Sequence, residues 1–552
     1  MHFSPLPRFC RRLPANKNFI GISKAVAQAF RIATESLGRI GCCAWGVVLL
    51  SWYASHGMAQ DLGSQSIGAS PASRGKPLNV LWMVSDDLNH RLGCYGHATA
   101  KTPHLDALAQ RGVLFDRAYC TFPLCGPSRN SMLTGLYPNS TGILNNGQIF
   151  RQSIPKRPSV PQLFRFSNYF VGRIGKLYHY NVPNSVGTNG HDDPASWELE
   201  LNPAGVDRLL ELPKTNTLIP GQFGGTLSWL SSTHPESMHT DSLQAKDAEW
   251  VLERCARDRE RPFFLALGFF RPHTPYIAPQ EYFQRHDLER IELVQDVAED
   301  RRDIPPAALA SGKKEQDDMS DATAREAIQA YDASISFMDA QVGKVMAALD
   351  RLGLSDNTII VFTSDHGYHV GEHGLWQKMS LFEESARVPL IVVAPGMGRS
   401  GSVVRTPVSH VDLAPTLLEA CGQSVPEGLQ GQSLLPMLQD PQHVGRGWAL
   451  THVTRGGGDK QKHGYSIRTA RWRYTEWDEG RGGVELYDHD ADPRERENLA
   501  HASHPKKGLQ QDVLSELSGM LRDAVQASFP SSGTRPAVQA MNWAPNLTEA
   551  AD

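Results

Sequence analysis

Asn79-Val80-Leu81-Trp82-Met83-Val84 is an uninterrupted apolar run that leads directly into Ser85-Asp86-Asp87. An apolar run without alternation is typical of a strand that is buried on both faces of a parallel sheet. Downstream, Thr102-Pro103 predicts the start of a helix, because threonine is a good cap and proline is tolerated in the first turn. Gly112 predicts the end of that helix. These residues together predict a strand-to-helix unit.

The same alternation continues along the chain. Apolar runs predict strands at 169–172, 263–267, 359–362 and 390–393. Between the second and third of these runs, apolar residues recur at helical spacing and predict one long amphipathic helix that ends near Gly353: Ile328, Tyr331, Ile335, Met338, Val342, Val345 and Leu349. Strands that alternate with helices predict a doubly wound α/β sheet.

Length and charge limit the classes of function. A chain of 552 residues is long enough for two or more packed units. The hydrophobic fraction of 40% and the charged fraction of 21% are ordinary for a globular enzyme. A net charge of -4 provides no global positive field, so we expect no nucleic-acid partner and no binding of polyanions by bulk charge.

The N-terminal 59 residues have the order of a secretory signal. Seven basic residues precede the apolar run 42–50, and Gly57-Met58-Ala59 is a small-x-small cleavage site. The alternative is a membrane anchor, but the run is shorter than the ~20 residues of a spanning helix, so no stable membrane span is expected. We therefore predict a targeting segment at 1–59, a linker at 60–76 and a secreted or periplasmic protein. Removing the signal leaves five cysteines, an odd number, so at least one sulfur is not in a disulfide.

Charged residues follow two of the predicted strands. Asp86 and Asp87 come after the first strand, and Asp365 and His366 come after the run at 359–362. Each pair alone is also typical of a turn. If the two strands are neighbours, however, three carboxylates meet at one sheet edge and need a cation between them, for which oxygen ligands suit Ca²⁺ or Mg²⁺. His366 is less usual for these ions and better suits a transition metal.

The most specific signal is the stretch Leu124-Cys125-Gly126-Pro127-Ser128-Arg129, followed by Leu133-Thr134-Gly135. Pro127 suits a first helical turn and Gly135 a helix end, which places Cys125 at a helix N-terminus that favours negative charge. The pattern Cys-x-Pro-Ser-Arg with Leu-Thr-Gly resembles the signature of the sulfatase family, in which the cysteine is oxidised to formylglycine.

The resemblance extends over residues 77 to 500 and implies both fold and organisation. It implies an alkaline-phosphatase-like α/β fold, in which a mixed sheet is flanked by helices and a smaller α+β subdomain follows. We accordingly predict a catalytic domain at 77–440 and a C-terminal subdomain at 441–529, while composition predicts a disordered tail at 530–552.

The family pattern also implies a metal centre. One Ca²⁺ per subunit would be held by Asp86, Asp87, modified Cys125, Asp365 and His366, and Arg129 would steady the hydrated formylglycine. Histidine at position 366 is similar to the iduronate-2-sulfatase branch, as are four further segments: Gly175-Lys176-Leu177-Tyr178-His179, Arg271-Pro272-His273, Gly371-Glu372-His373-Gly374 with Lys378, and Gly464-Tyr465-Ser466-Ile467-Arg468-Thr469.

The same resemblance assigns roles to these residues. One hydroxyl of the hydrated aldehyde would attack sulfur. Lys176, His273 and Lys378 would stabilise charge on the sulfate oxygens, and either His273 or Lys378 would protonate the departing sugar oxygen. His179 would remove the proton of the second hydroxyl and so release sulfate.

The predicted function is hydrolysis of sulfate esters on a sulfated saccharide, with the 2-O-sulfate of an iduronate-like uronic acid as the expected substrate. Arg468, Arg471 or Arg473 are candidates to meet the uronate carboxylate, and the loops at 180–240 and 281–320 are expected to set specificity. The expected partners are the sulfated saccharide substrate and a formylglycine-generating or anaerobic sulfatase-maturing enzyme. The alternatives are a phosphonate monoester or phosphodiester hydrolase of the same superfamily and a non-catalytic sugar-binding relative.

Overall fold

Residues 77–505 and 510–540 are described by the computed structural model, and they belong to one compact unit. The predicted targeting segment at 1–59, the linker at 60–76 and residues 541–552 of the predicted tail lie outside the described residues. Within the described ranges, none of the helices has both the length and the apolar character that a membrane crossing requires.

In the described ranges, twenty strands are interspersed with helices. The strands are β1 (Asn79–Asp86), β2 (Val113–Phe115), β3 (Ala118–Tyr119), β4 (Phe170–Gly175), β5 (Leu199–Leu201), β6 (Asn216–Thr217), β7 (Ser228–Ser232), β8 (Phe263–Pro272), β9 (Tyr276–Pro279), β10 (Thr358–Ser364), β11 (His369–Val370), β12 (Trp376–Gln377), β13 (Arg387–Val388), β14 (Leu390–Val393), β15 (Ser402–Val404), β16 (Val408–Ser409), β17 (Ala449–Arg455), β18 (Lys462–Arg468), β19 (Trp472–Trp477) and β20 (Gly483–Asp488). The α-helices are α1 (Pro103–Arg111), α2 (Cys125–Thr134), α3 (Pro138–Thr141), α4 (Val160–Phe166), α5 (Val206–Leu209), α6 (Thr240–Arg257), α7 (Gln280–Phe283), α8 (Val297–Asp300), α9 (Pro306–Leu309), α10 (Lys314–Asp317), α11 (Asp321–Arg351), α12 (Glu383–Ala386), α13 (Leu413–Ala420), α14 (Leu435–Gln439) and α15 (Gln511–Ala527).

The central sheet has eight strands in the order β15-β2-β14-β10-β1-β8-β4-β5. The five strands from β10 to β5 are parallel, with Val80 opposite Ile359 on one side and Phe264 on the other. β14 runs antiparallel to both β10 and β2. The mixed α/β sheet that the sequence predicts is thus confirmed.

Both faces of the sheet are covered, as the apolar run at 79–84 predicts. Leu81 and Met83 belong to one core, which is packed with residues of α1, α6 and α11. Trp82 and Val84 point the other way into a second core, to which α2, α4 and α13 contribute. This arrangement follows from the period of two in a strand, which sends successive side chains to opposite faces.

A smaller antiparallel sheet, β17-β18-β19-β20, follows the central one. Its apolar face packs on α15, with Leu450, Ile467 and Leu486 meeting Leu517 and Leu521 in one buried cluster. This is the smaller C-terminal α+β unit that the resemblance implies. After α15, residues 530–540 form no helix or strand, but Arg535 donates a hydrogen bond to Asn139 Oδ1 at 2.7 Å.

Candidate active site

Four parallel strands deliver the predicted site residues to one edge of the sheet. Asp86 is the last residue of β1, Lys176 follows β4, His273 follows β8, and Asp365 follows β10. Neighbouring parallel strands end at the same edge, which is where open α/β sheets bind ligands. Asp87 turns sharply away from β1 with a φ of 65°, and its backbone N–H donates to Asp365 Oδ1 at 3.1 Å. The two strand-end pairs are therefore in direct contact.

Arg129 binds both strand ends from the first turns of α2. Its guanidinium donates to Asp86 Oδ1 at 3.0 Å and to Asp365 Oδ2 at 2.9 Å, and a further N–H donates to the carbonyl of Lys176. The side chains of Arg129, Asp86 and Asp365 are all 0% exposed. Burial alone would raise the pKa of Asp365, but Arg129 holds it well below its usual range. Arg129 therefore fixes the position of these carboxylates.

Cys125 is the first residue of α2, which ends at Gly135 in the left-handed conformation with a φ of 68°. Its Sγ lies 3.2 Å from Lys378 Nζ and 3.3 Å from His366 Nε2. Burial raises the pKa of the thiol, but Lys176, Lys378 and His366 outweigh burial and hold it well below its usual value. The surroundings of position 125 thus stabilise negative charge.

Two lysines complete the charge balance of the cluster. Lys176 Nζ donates to Asp86 Oδ2 at 2.6 Å, and Lys378 Nζ donates to Asp87 Oδ1 at 2.6 Å. Burial would lower the pKa of Lys378, but the carboxylate of Asp87 raises it above its usual value. Lys378 therefore carries a proton at neutral pH and points it toward position 125.

The three histidines differ in their surroundings. Burial lowers the pKa of His179 to about 4, which leaves its imidazole neutral, and its Nδ1 has no hydrogen-bond partner among the described residues. His273 Nε2 lies 3.7 Å from Asp87 Oδ2. Burial would lower the pKa of His366, but Asp365 raises it to about 9. All six predicted catalytic residues lie at or beside one buried cluster, and their separate roles stay predictions.

The residues present fit a divalent metal. Donor atoms of Asp87, Cys125, Asp365 and His366 lie within 4.8 Å of one another, and all four residues are buried. Asp87 Oδ2 is buried, has no hydrogen-bond partner among the described residues and lies 3.7 Å from His273 Nε2, and a buried carboxylate oxygen without a hydrogen bond favours a cation beside it. His366 Nδ1 lies 2.9 Å from the carbonyl of Gly367, which leaves Nε2 facing the cluster. Asp86 differs, because Arg129 and Lys176 already bind its two oxygens.

The structure adds functional candidates that the sequence motifs do not contain. Lys313 donates to Gln377 Oε1 at 2.5 Å and to the carbonyl of Gly225, which joins the loop regions predicted to set specificity to β12. Burial lowers the pKa of Lys313, and the charges of Lys378 and Asp87 are near enough to act on it too. A lysine in the polar run Lys313-Lys314 has no sequence feature that separates it from a solvated surface group.

A second candidate that the motifs do not contain is Asn146, which contacts the first turn of α2. Asn146 Oδ1 accepts the backbone N–H of Gly126 at 2.8 Å, one residue after Cys125. The carbonyl of Asn146 lies 3.1 Å from His191 Nδ1, and His191 in turn pairs its backbone with His179. The loop at 145–146 therefore braces the helix N-terminus through a contact that no local motif encodes.

The three arginines predicted to meet a uronate carboxylate are already bound by carboxylates of the chain itself. Arg473 is buried and bonds to Glu383 and Glu495. Arg468 Nε lies 3.5 Å from Glu383 Oε2, and Arg471 Nη2 lies 2.6 Å from Asp488 Oδ2. The ion pairs of the buried Arg468 and Arg473 disfavour a contact with substrate, because each would leave a buried charge uncompensated, whereas Arg471 is 52% exposed. That one of the three meets a uronate carboxylate stays a prediction.

Comparison with known proteins was made by sequence and by structure. A family model described as Sulfatase matches residues 78–423, and one described as N-sulphoglucosamine sulphohydrolase, C-terminal, matches residues 371–523. A protein named Sulfatase from Formosa agariphila is 32% identical over 437 residues, which cover 77% of this chain and 83% of that protein. Iduronate 2-sulfatase from Mus musculus is 31% identical over 492 residues, which cover 75% of this chain and 88% of that protein. The solved structure of phosphonate monoester hydrolase from Agrobacterium radiobacter superposes with a TM-score of 0.65 at 23% identity and covers 81% of this chain and 96% of its own, a likeness of fold.

Proposed function

The chain belongs to the sulfatase family, and from this premise we propose that it hydrolyses the 2-O-sulfate of an iduronate-like uronic acid in a sulfated saccharide. Sulfuric ester hydrolysis is the chemistry of the family. The uronate specificity is our own step, and it is supported by the similarity to iduronate 2-sulfatase over 75% of the chain.

One observation carries the proposal: the charge around position 125 is arranged for an anionic substrate. The ammonium of Lys378 lies 3.2 Å from Cys125 Sγ, Lys176 donates to the adjacent Asp86, and α2 begins at Cys125, where the helix dipole favours negative charge. Positive groups and helix N–H donors that converge on one buried atom stabilise the oxygens of a sulfate group as charge develops on them. A binding protein has no need for a nucleophile at that position.

We propose that Cys125 is oxidised to formylglycine before the enzyme acts. Family members use a formylglycine and a divalent metal. In its hydrated form the aldehyde offers one hydroxyl oxygen as the nucleophile at sulfur, and the sulfur–oxygen bond to the sugar breaks as the new bond forms. A group with a transferable proton must then protonate the sugar oxygen. Lys378 is protonated and beside the nucleophile, and His273 is the other candidate, 3.7 Å from Asp87.

His179 is the proposed base. Its imidazole is neutral because burial lowers its pKa to about 4, so it can accept a proton at neutral pH. Removing the proton of the second hydroxyl would break the bond to sulfate and regenerate the aldehyde. A serine hydroxyl at position 125 lacks this second hydroxyl, so its sulfate ester would have no internal exit.

We assign the metal as one Ca²⁺ held by Asp86, Asp87, the oxidised residue 125, Asp365 and His366. Oxidation of Cys125 replaces a soft sulfur with oxygen, which brings the donor set closer to the oxygen ligands that Ca²⁺ prefers. When bound, the ion would polarise oxygen and offset the charge of the carboxylates.

Lys313 is the proposed contact for the uronate carboxylate. Its side chain is partly exposed and lies near enough to Lys378 for their charges to interact. It is held by the carbonyl of Gly225 and by Gln377 of β12, the residue before Lys378. We also propose that the protein is exported, to the periplasm or beyond, and that it requires a formylglycine-generating or anaerobic sulfatase-maturing enzyme.

The test is a direct comparison of substrates with the matured protein. We expect release of sulfate from a 2-O-sulfated uronate disaccharide, with kcat/KM well above that for a phosphonate monoester or phosphodiester of similar size. The variant Arg302→Gln is a matched control, because the side chain of Arg302 is 70% exposed and, among the described residues, pairs with Glu299 alone. Faster turnover of the phosphorus esters would replace the proposed activity with the alternative one.

A further inference from the structure

A cavity of about 520 Å³ lies against β12, apart from the catalytic cluster. This volume lies within the range of about 300 to 1,000 Å³ that is usual for small-molecule sites. Its lining includes both polar and apolar side chains, of which six matter here: Val294, Arg301, Gln316, Asp317, Val370 and Trp376. The cavity is large enough for a sugar unit.

The cavity lies close to the catalytic cluster along the chain. Trp376 lines the cavity and precedes Lys378 by two residues, so their Cα atoms are at most ~7.6 Å apart. Gln377, between them, accepts hydrogen bonds from Lys313 at 2.5 Å and from Gln316 Nε2 at 3.3 Å. A chain of polar contacts thus runs from the mouth of the catalytic cluster to the cavity.

Two polar groups of the lining are unpaired. Gln316 is only 7% exposed, and its Oε1 has no hydrogen-bond partner among the described residues, although its Nε2 is bound by Gln377. No hydrogen bond or ion pair engages the guanidinium of Arg301 within the part of the chain that is described. A buried acceptor without a donor costs free energy unless a ligand or water supplies one. The cavity therefore presents a free acceptor and a free cation.

The remaining lining favours a sugar over a small inorganic anion. Trp376 offers an aromatic surface, and Val294 is 40% exposed at the same cavity. Asp317 supplies a carboxylate that can accept hydrogen bonds from hydroxyls but would repel a bare anion. A sugar with one carboxylate or sulfate group satisfies all of these together, since its charged group pairs with Arg301 and its hydroxyls donate to Asp317 and Gln316.

We propose that this cavity is a second sugar subsite, which binds an anionic sugar unit of the same chain that carries the sulfate ester under attack. The inference rests on the proposed function, because it takes the substrate to be a sulfated oligosaccharide. In this arrangement Arg301 selects for a charged group beyond the reacting residue, and the enzyme acts better on oligosaccharides than on single sugars.

Binding by calorimetry tests the subsite without requiring turnover. The full chain with Cys125→Ala is titrated with a 2-O-sulfated iduronate monosaccharide and with a tetrasaccharide of alternating uronate and hexosamine that ends in the same residue. We expect the tetrasaccharide to bind about ten-fold more tightly or better, a gain typical of one charge-assisted contact. In the Arg301→Gln background we expect most of this gain to be lost, whereas the neighbouring Arg302→Gln should retain it.

The results that overturn the inference are distinct from those that overturn the function. Equal affinity for the two saccharides, no binding of either, or a gain that survives Arg301→Gln would each exclude the subsite. A Gln316→Leu variant gives a second measurement, because it removes the unpaired acceptor while keeping an apolar filler of similar size, and it should also reduce the gain. The proposed activity is scored separately, by sulfate release from the monosaccharide with wild-type protein.

Discussion

Two of the buried charge clusters among the described residues invite comparison, because both combine carboxylates with arginine and histidine. The catalytic cluster has three carboxylates, one arginine, two lysines and His366 around Cys125. The second, which we call the junction cluster, consists of Glu383, Glu384, His373, Arg473, His489 and Glu495, and connects α12 to the C-terminal sheet. Burial and charge alone do not distinguish a site from a structural network.

The difference lies in what the groups surround, because both clusters hold atoms without a hydrogen-bond partner among the described residues: Asp87 Oδ2 in the catalytic cluster, and Glu384 Oε2 and His373 Nε2 in the junction cluster. In the junction cluster, Glu495 accepts from Arg473, from His489 at 2.8 Å and from the backbone of Glu383 at 2.8 Å, so both of its oxygens are bound. In the catalytic cluster two ammonium groups converge on Cys125, a residue that can become a nucleophile, and Asp87 Oδ2 has no hydrogen-bond partner among the described residues, with His273 Nε2 at 3.7 Å. A network that converges on a residue able to become a nucleophile is functional, and one that joins two parts of the fold without such a residue is structural.

The largest effect is expected at the nucleophile. Cys125→Ala should lower sulfate ester turnover by on the order of 10⁴-fold or more, because nothing else in the cluster offers an oxygen to attack sulfur. The melting temperature should change little, since the substitution removes one small side chain. Cys125→Ser should instead accept sulfate once and stall, which mass spectrometry of the intact protein detects. Repeated turnover by the serine variant would contradict the role of the second hydroxyl.

Asp87→Asn tests whether the unpaired oxygen is there for a metal. The change keeps the size of the side chain but removes the charge, so we expect bound divalent metal to fall to background and turnover to fall by at least ~100-fold. Elemental analysis of the dialysed protein measures the first effect and a sulfate-release assay the second. Full metal occupancy in this variant would show that Asp87 is not a ligand.

Glu495→Gln tests the opposite assignment. It leaves Arg473 and His489 partly uncompensated in a buried position, so the free energy of unfolding should fall by about 3 kcal/mol. Chemical denaturation measures this loss, and kcat per folded molecule should stay near that of the wild type. A fall in kcat without a fall in the free energy of unfolding would show that the junction cluster acts in catalysis and not in folding stability.

His373 gives the junction cluster a pH dependence. Burial would lower its pKa, but Asp300, whose carboxylate lies 3.0 Å from Nδ1, raises it to about 9. Because the folded pKa lies above the unfolded value of about 6.5, the stabilisation is complete below pH ~6.5 and is lost as pH rises through 9. His373→Asn should flatten the stability curve in this window, and asparagine tolerates the φ of 55° at this position. If the slope of the unfolding free energy against pH is unchanged in this variant, His373 does not cause the pH dependence.

The smallest effect is expected at Lys313, at the mouth of the catalytic cluster. Lys313→Met keeps the length of the side chain and removes its charge, so KM for a uronate substrate should rise by about ten-fold. The KM for a small aryl sulfate without a carboxylate should rise less. The measurement is therefore the ratio of the two increases in KM. Lys314→Met, one residue away and exposed, is the matched control.

Much of the fold was predictable because apolar runs mark buried strands. The run at 390–393 coincides with β14, and the helix predicted around 328–349 is the central part of α11. The antiparallel direction of β14 was not predictable, since a short apolar run has no sense of direction. The boundaries proposed at 440 and 529 stay predictions.

The site was predictable where chemistry is encoded in adjacent residues. The segment from Cys125 to Arg129 predicted helix α2. The aspartates at strand ends predicted the carboxylates that meet at the edge of the sheet. Lys313 and Asn146 were not predictable, because each acts through a contact with a distant loop. The partners of Arg473 were not predictable for the same reason, because Glu383 and Glu495 are far away in sequence and meet it only in the fold.

The most direct test of the central claim is the state of residue 125 together with the activity of the same sample. The protein is purified from its native host, and mass spectrometry measures the mass of the peptide that contains Cys125. Sulfate release from a 2-O-sulfated uronate disaccharide is measured on the same sample. The account predicts an aldehyde at position 125 and release of sulfate over many turnovers. An unmodified thiol and no release would contradict it, and would favour a sugar-binding relative that has kept the fold.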